Sequence, residues 1–424
     1  MTIARPCPLR TAILARREEL VLLTQELIRI PTLNPPGRDY RRICDFLAAR
    51  LEAGGWDCTL IRATGSPGDC EAYPRWNLIA RHKGGRAGDC VHFNSHHDVV
   101  EVGHGWTRDP FAGAVEGDKI YGRGACDMKG GLAASIIAAE AFVALYPDHA
   151  GTVEISATAD EESGGYGGVA YLAEQGHFAH VDHVIIPEPL YKDSICLGHR
   201  GVWWAEIETQ GRIAHGSMPF LGDCAVRHMG AVLDEMERSL WPLLAGKHTD
   251  MPVIPRARAL RRSISTRSTA AHPNRPRGSP ACPPLRPRPL PHHHRPPLSD
   301  RRGYRRGQSR NHRPARTRPR DAARIHLRDR DLFEVLPSMT ARDAPVVRTT
   351  AQAIEAVLGQ APRYVVSPGT YDQKHIDRIG KLDNCIAYGP GELHLAHQPD
   401  EWIGITDMVD SAHVMALVLQ ELLA

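Results

Sequence analysis

The chain has 424 residues, 42% of them hydrophobic, and a formal net charge of +3. That length exceeds one ordinary core and predicts two domains, and no uninterrupted apolar run approaches the ~18 residues of a bilayer span. The ten cysteines include no CxxC pair, which argues against a zinc ribbon, a thioredoxin-type site and a disulfide framework.

In chain order, "RREELVLLTQELIRI" (16–30) carries apolar residues at helical spacing and is stopped by "PTLNPPG". The residues before it hold arginines but no continuous apolar core, a poor signal peptide, so a cytoplasmic location is expected. "WDCTLIRA", "WNLIARH" and "CVHFNSH" read as short strands, and the alanine-rich 128–146 as a helix. "GTVEISATAD" reads as a strand, "GGVAYLAEQG" as a short helix and "HVIIPEP" as a strand. Strands alternating with helices predict an α/β fold, a mixed, largely parallel sheet flanked by helices.

"VWWAEIETQG" alternates like a half-exposed antiparallel strand, and 223–245 gives a long amphipathic helix. The α/β pattern then returns with a helix at 343–358, a strand at "NCIAYGPG" and a closing helix from "ITDMV". The predicted organisation is a catalytic domain in two parts, 1–209 and 326–424, with an α+β domain inserted at 210–325.

Residues 256–320 fit neither domain. They hold 19 arginines, no lysine and a single acid, Asp300, for a charge of +18, while the rest of the chain carries 33 bases against 48 acids. With 12 prolines, one tyrosine and no Phe, Trp or Glu, the window cannot bury a core and as written should be disordered. Codon degeneracy lets "GYRRGQ" (303–308) and "SISTRSTAA" (263–271), read in shifted frames, encode Asp-Ile-Asp-Glu-Val and Asn-Leu-Asn-Thr-Ile-His-Gly-Gly. The window therefore reads as a reading-frame error or a damaged gene. The competing reading is a basic linker that touches nucleic acid, and the lack of lysine argues against it.

Hydrolytic metal sites draw carboxylates and imidazoles from separate strand ends. Five places qualify: "FNSHHDVV", Asp127 in "YGRGACDMKGG", Glu161 and Glu162 in "TADEESGG", Glu188 in "IIPEP", and His394 and His397 in "GPGELHLAHQPDE". Singly, each has an ordinary structural explanation as a helix cap, a solvated acid or a core histidine, and His97, His104, His394 and His413 are left so.

Together, "HHDVVEVGHGWTRDPFAGAVEGDKIYGRGACDMKGG", D-E-E, E-P and A-H-x-x-x-E resemble the dinuclear-zinc deacylases and exopeptidases, the family of acetylornithine deacetylase, succinyl-diaminopimelate desuccinylase, aminoacylase and glutamate carboxypeptidase. The resemblance covers about 16–255 and 325–424. It implies a zinc-exopeptidase fold whose inserted domain is a lid or dimerisation domain. It implies two Zn²⁺ per subunit, replaceable by Co²⁺: His96 and Glu188 on one, Glu162 and His397 on the other, Asp127 bridging. Asp98 would accept a hydrogen bond from the His96 ring, with His97 variable and Cys126 a packing residue. Glu161 would be the general acid/base, and His215 of "GRIAHGSMP" a donor to the oxyanion, often of a neighbouring subunit. Gly369 and Thr370 of "SPGTYDQKH" would line the substrate loop. The implied reaction is hydrolysis of the amide of an N-acyl amino acid, of the desuccinylase or acetylornithine-deacetylase type in amino-acid biosynthesis, by a homodimer with no nucleic-acid or membrane partner. A metallo-dipeptidase or carboxypeptidase using the same site, or a defective member without a working lid, are the alternatives. The residue that would hold the substrate carboxylate falls in the anomalous window and cannot be named.

Overall fold

The computed structural model describes residues 7–247, 251–253 and 327–424. The arginine-proline window, and the expectation of disorder attached to it, lie outside the described residues. The elements run α1 (Pro8–Ala15), α2 (Arg17–Ile28), α3 (Tyr40–Ala53), β1 (Asp57–Arg62), β2 (Trp76–Lys83), β3 (Arg86–His96), β4 (Ala114–Glu116), β5 (Lys119–Tyr121), α4 (Gly130–Leu145) and β6 (Ala150–Thr158). They continue α5 (Tyr171–Glu174), β7 (His183–Ile186), β8 (Ser194–His199), β9 (Val202–Thr209), α6 (Ala225–Glu235), α7 (Trp241–Ala245), β10 (Leu327–Val335) and β11 (Ser338–Met339). The last are α8 (Pro345–Leu358), β12 (Arg363–Ser367), α9 (Gln373–Arg378), β13 (Cys385–Ala387), β14 (Trp402–Gly404) and α10 (Ile405–Leu423).

The main sheet has the order β1-β2-β6-β3-β7-β13-β8-β11, with β12 also on β8. Its centre is parallel, since β3 pairs β6 and β7 in parallel and β13 pairs β7 in parallel. Both flanks contain antiparallel pairs, β1–β2–β6 on one side and β13–β8–β11 on the other. Successive strand residues serve opposite faces. On β7, Ile185 joins one core while Val184 and Ile186 join the other, and on β13 Ile386 and the pair Cys385 and Ala387 divide in the same way. That division is why the strands read as continuous apolar runs: both faces are covered.

One face carries α4, packed against α10, α1 and α2. The stretch Ala125–Leu145 is long and apolar enough to cross a membrane by length and composition, which corrects the expectation that no segment approached that limit. It is buried inside the protein instead, because a helix apolar all round fits only between layers that cover every side. The other face is covered by residues such as Val169, Leu172, Phe178 and Ile376. Helices α1 and α3 were not anticipated. α3 buries Tyr40, Ile43, Cys44, Leu47 and Leu51 at helical spacing against β1 and β2.

The alternating strand after β8 is antiparallel as expected: β9 leaves the main sheet and pairs β10 from Val202↔Val335 to Thr209↔Leu327. A three-stranded sheet, β14-β5-β4, ties 114–121 to 402–404 and so brings the segment before α10 against the turn before α4.

Candidate metal centre

His96 ends β3 opposite Thr158, the last residue of β6, so the turn that follows Thr158 lies beside it. Parallel strands deliver their loops to one end, and ligand sites of such sheets collect there. Glu188 follows β7 by two residues, and His397 comes from the loop after β13. Asp127 precedes α4 with an extended backbone (φ −117°, ψ 96°), and with Met128 (φ −131°, ψ 27°) it forms a kink before the helix. The glycines of the same motif set the approach: a β-carbon at Gly131 would collide with the carbonyl oxygen of Pro187, next to Glu188.

These side chains converge. The His96 Nε2 lies 3.1 Å from Asp127 Oδ1 and 3.9 Å from Glu188 Oε1. The His397 Nε2 lies 3.3 Å from Asp127 Oδ2 and 3.0 Å from Glu162 Oε2. Two triads result, His96–Asp127–Glu188 and Asp127–Glu162–His397, each with its ligand atoms within 4.8 Å of one another. Asp127 is common to both and turns one oxygen toward each. The side chain of His96 is 1% exposed and that of His397 48%, so the cradle is closed at one end and open at the other.

The electrostatics describe a site short of positive charge. Burial, then the neighbouring Asp127 carboxylate, push Glu162 up to about 7 and Glu188 well above the carboxylate range. Burial acts to lower both histidines, but hydrogen bonds to Asp127, with those to Asp98 at His96 and Glu162 at His397, outweigh it; His96 rises well above its usual value and His397 to about 11. Burial would raise Asp127, yet the two imidazoles hold it far below its usual range. Three carboxylates and two imidazoles without a thiolate suit borderline or hard divalent ions, so the donor set fits a metal pair.

A further layer fixes these groups. Asp98 accepts the backbone N–H of Glu161 at 3.1 Å and of Glu162 at 3.2 Å, and the Asn34 amide at 2.7 Å. The His96 Nδ1 sits 3.0 Å from the Asp98 carbonyl oxygen and 3.5 Å from its carboxylate, so the ring is nearer the backbone than the side chain. Glu401 accepts the N–H of Cys126 at 2.9 Å and of Asp127 at 3.1 Å. Its other oxygen binds Arg123 at 2.5 Å. The carboxylate of Glu161 takes the Lys374 ammonium at 3.0 Å. Burial would lower that ammonium, but Glu161 and Asp372 hold it above its usual value.

Of the other expected residues, Cys126 is buried, with its thiol against the Glu392 carbonyl. His215 is exposed on the loop after β9, and its ring meets Ser217 rather than the cradle. Gly369 is exposed and Thr370 half-buried, on the loop that leads into α9. His97 and His413 are buried and His104 and His394 exposed, all outside the two triads. Sequence reasoning gave no role to Arg123, Glu401, Asp372 or Lys374. Arg123 and Glu401 stood inside the quoted motifs, but nothing in a linear pattern pairs residues so far apart. A third grouping, Cys90–Glu154–His180, lies apart from the cradle, and its Glu154 is already engaged by Arg81, His92 and His180.

The chain matches the profile of peptidase family M20/M25/M40 over residues 92–421. It is 33% identical over 229 residues to a succinyl-diaminopimelate desuccinylase of Burkholderia orbicola, a match covering 52% of this chain and 57% of that one. It is 34% identical over 227 residues to the Stenotrophomonas maltophilia protein of the same name, again covering 52% and 57%. The chain thus spans little more than half the length of the curated relatives it matches. Among solved structures, human carnosine dipeptidase 1 superposes with a TM-score of 0.69 at 16% identity, over 98% of this chain and 99% of that one. The di-peptidase Dug1p of Saccharomyces cerevisiae gives 0.70 at 14% identity, over 97% of each. At those identities the likeness is one of fold.

Proposed function

The chain belongs to the M20/M25/M40 peptidase family, and from that premise we propose that it hydrolyses the amide bond of an N-acyl amino acid at a pair of divalent ions. The observation that carries this reading is Asp127, whose two oxygens each belong to a different triad. His96 and Glu188 would hold one ion and Glu162 and His397 the other, with Asp127 shared between them; Zn²⁺ is the expected metal, with Co²⁺ as a substitute. A metal pair supplies Lewis acidity, bringing the pKa of water from about 15.7 toward 7 and polarising a carbonyl.

The chain's own groups do the rest. Glu161, outside both triads and 12% exposed at its side chain, takes the proton of the attacking water and returns one to the departing amine. Asp98 orients the turn that carries Glu161 and Glu162. His215, exposed on the loop after β9, would donate to the oxyanion of a neighbouring subunit. The lid and dimer contact expected at 210–325 lie in part outside the described residues, at 248–250 and 254–325. Gly369 and Thr370 border the substrate. The sequence relatives, named as succinyl-diaminopimelate desuccinylases, support a succinyl-amino acid over a dipeptide; an acetyl-amino acid and a cytoplasmic location remain part of the proposal.

The test is turnover. Purified protein with added Zn²⁺ or Co²⁺ should cleave N-succinyl-diaminopimelate or N-acetylornithine, and chelator should abolish it. Cleavage of dipeptides alone would support the peptidase reading, and two bound metals without turnover would support a defective member. Glu161→Ala should keep both metals and lose at least two orders of magnitude in rate; retained activity would remove Glu161 as the base.

A further inference from the structure

Glu161 and Glu162 are chemically identical neighbours, and their two backbone amides are held by one carboxylate, Asp98. Nothing in their local sequence decides which becomes a ligand. Their side chains nevertheless part: Glu162 reaches His397 at 3.0 Å, while Glu161 reaches Lys374 at 3.0 Å. We propose that Lys374 is the positioning residue that sorts the pair, pinning Glu161 off the metals so that Glu162 alone joins the outer triad. The proposal rests on the metal-site reading above.

Lys374 is built for this. Its side chain is 2% exposed, and Glu161 is its one hydrogen-bond partner among the described residues. It stands in the first turn of α9, which is fastened on several sides. Asp372 accepts from Asn94 of β3 at 2.8 Å. Gln373 donates to the Cys385 carbonyl at 2.9 Å and to Thr340 at 3.0 Å. The His375 ring meets the Gly164 carbonyl at 2.7 Å, tying α9 to the turn that carries both acids. A buried ammonium on so fixed a base holds one oxygen of Glu161, Oε1, and leaves Oε2 without a protein partner among the described residues. Without Lys374, Glu161 would be a free carboxylate beside a cradle short of positive charge, and it would become an extra ligand.

The experiment follows the metal and needs no substrate. Wild type, K374M, K374Q, K374R, E161Q and K374M/E161Q are stripped, titrated with Co²⁺, and compared in stoichiometry, affinity and visible absorption, which reports coordination number. Wild type and K374R should bind two equivalents with the same spectrum. K374M and K374Q should bind more tightly, by about tenfold for ~1.4 kcal/mol from the freed carboxylate, with weaker visible bands from an added ligand. In the E161Q background K374M should do nothing further. Spectra unchanged by K374M and K374Q, or changed equally when Glu161 is absent, would overturn the sorting role. Using two truncations keeps one misfolded variant from deciding the matter. A wild-type chain that takes up no metal pair would instead remove the hydrolase reading and this role with it.

Discussion

Arg123 and Glu401 lie 278 positions apart in the chain and form a buried ion pair at 2.5 Å, with side chains 2% and 0% exposed. Through its second oxygen Glu401 holds the amides of Cys126 and Asp127. The residue shared by both triads is thus hung from this pair, and Arg123 also donates to the His397 carbonyl of the outer triad at 3.4 Å.

Glu401→Gln would leave the Arg123 guanidinium buried without its anion. Breaking such a pair costs about 3 to 5 kcal/mol. The expected result in urea unfolding is a loss of that size, and R123M/E401Q should recover part of it. Additive losses in the double variant would mean the two residues act separately.

The His97 ring lies fully buried, with Nε2 at the Trp76 carbonyl at 3.0 Å and Nδ1 without a partner. Burial holds it down to about 4. Unfolded, it binds a proton near pH 6.5 that the folded ring refuses until about pH 4, so stability falls as pH drops through that window. The loss amounts to about 3 kcal/mol, at 1.36 kcal/mol per pH unit. His97→Gln should flatten the stability curve between pH 6.5 and 4 relative to wild type; parallel curves would contradict a neutral buried ring.

Metal removal should be felt in stability as well as activity. Ions that bind only the folded cradle add about 2.7 kcal/mol per site at a free concentration a hundred times Kd. Dialysis against chelator should lower the melting temperature, and returning two equivalents of Zn²⁺ should restore it. A melting temperature indifferent to chelator would argue against an assembled cradle.

Gly131→Ala should be far worse than Gly230→Ala. The first places a β-carbon against the Pro187 carbonyl, and the second meets nothing within 4 Å in the middle of α6. Overpacking costs about 1 to 3 kcal/mol, and here it would also displace Glu188 and weaken metal binding. Alanine in an open helix should stabilise by about 0.5 to 1 kcal/mol. Thermal melts and metal content of the two variants check both signs.

Resequencing the gene across codons 250–330 should reveal compensating frame slips, after which the segment would read as an ordinary mixture of acids, lysines and apolar residues. A sequence confirmed as written would point to a defective member.

The motifs carried the metal cradle because its members sit beside turns with strong local signatures. Asp127 precedes a glycine pair, Glu188 follows an apolar strand, and Glu161 and Glu162 stand as a visible acidic pair. Periodicity likewise marked the strands and the closing helix, since each buried face repeats at a fixed interval along the chain. The case passed over was Ala125–Leu145, whose mostly apolar composition fits a bilayer and a protein interior equally well. Local composition cannot say what surrounds a helix.

What only the tertiary structure decided are the pairings across distance. Arg123 with Glu401, Lys374 with Glu161, and Asp98 with the amides of the acidic pair join residues that no linear interval relates. A sequence displays the kinds of groups available and the local turns that present them. Which charge neutralises which is settled by burial, because only when water is excluded must each ionised group find a partner within hydrogen-bond reach.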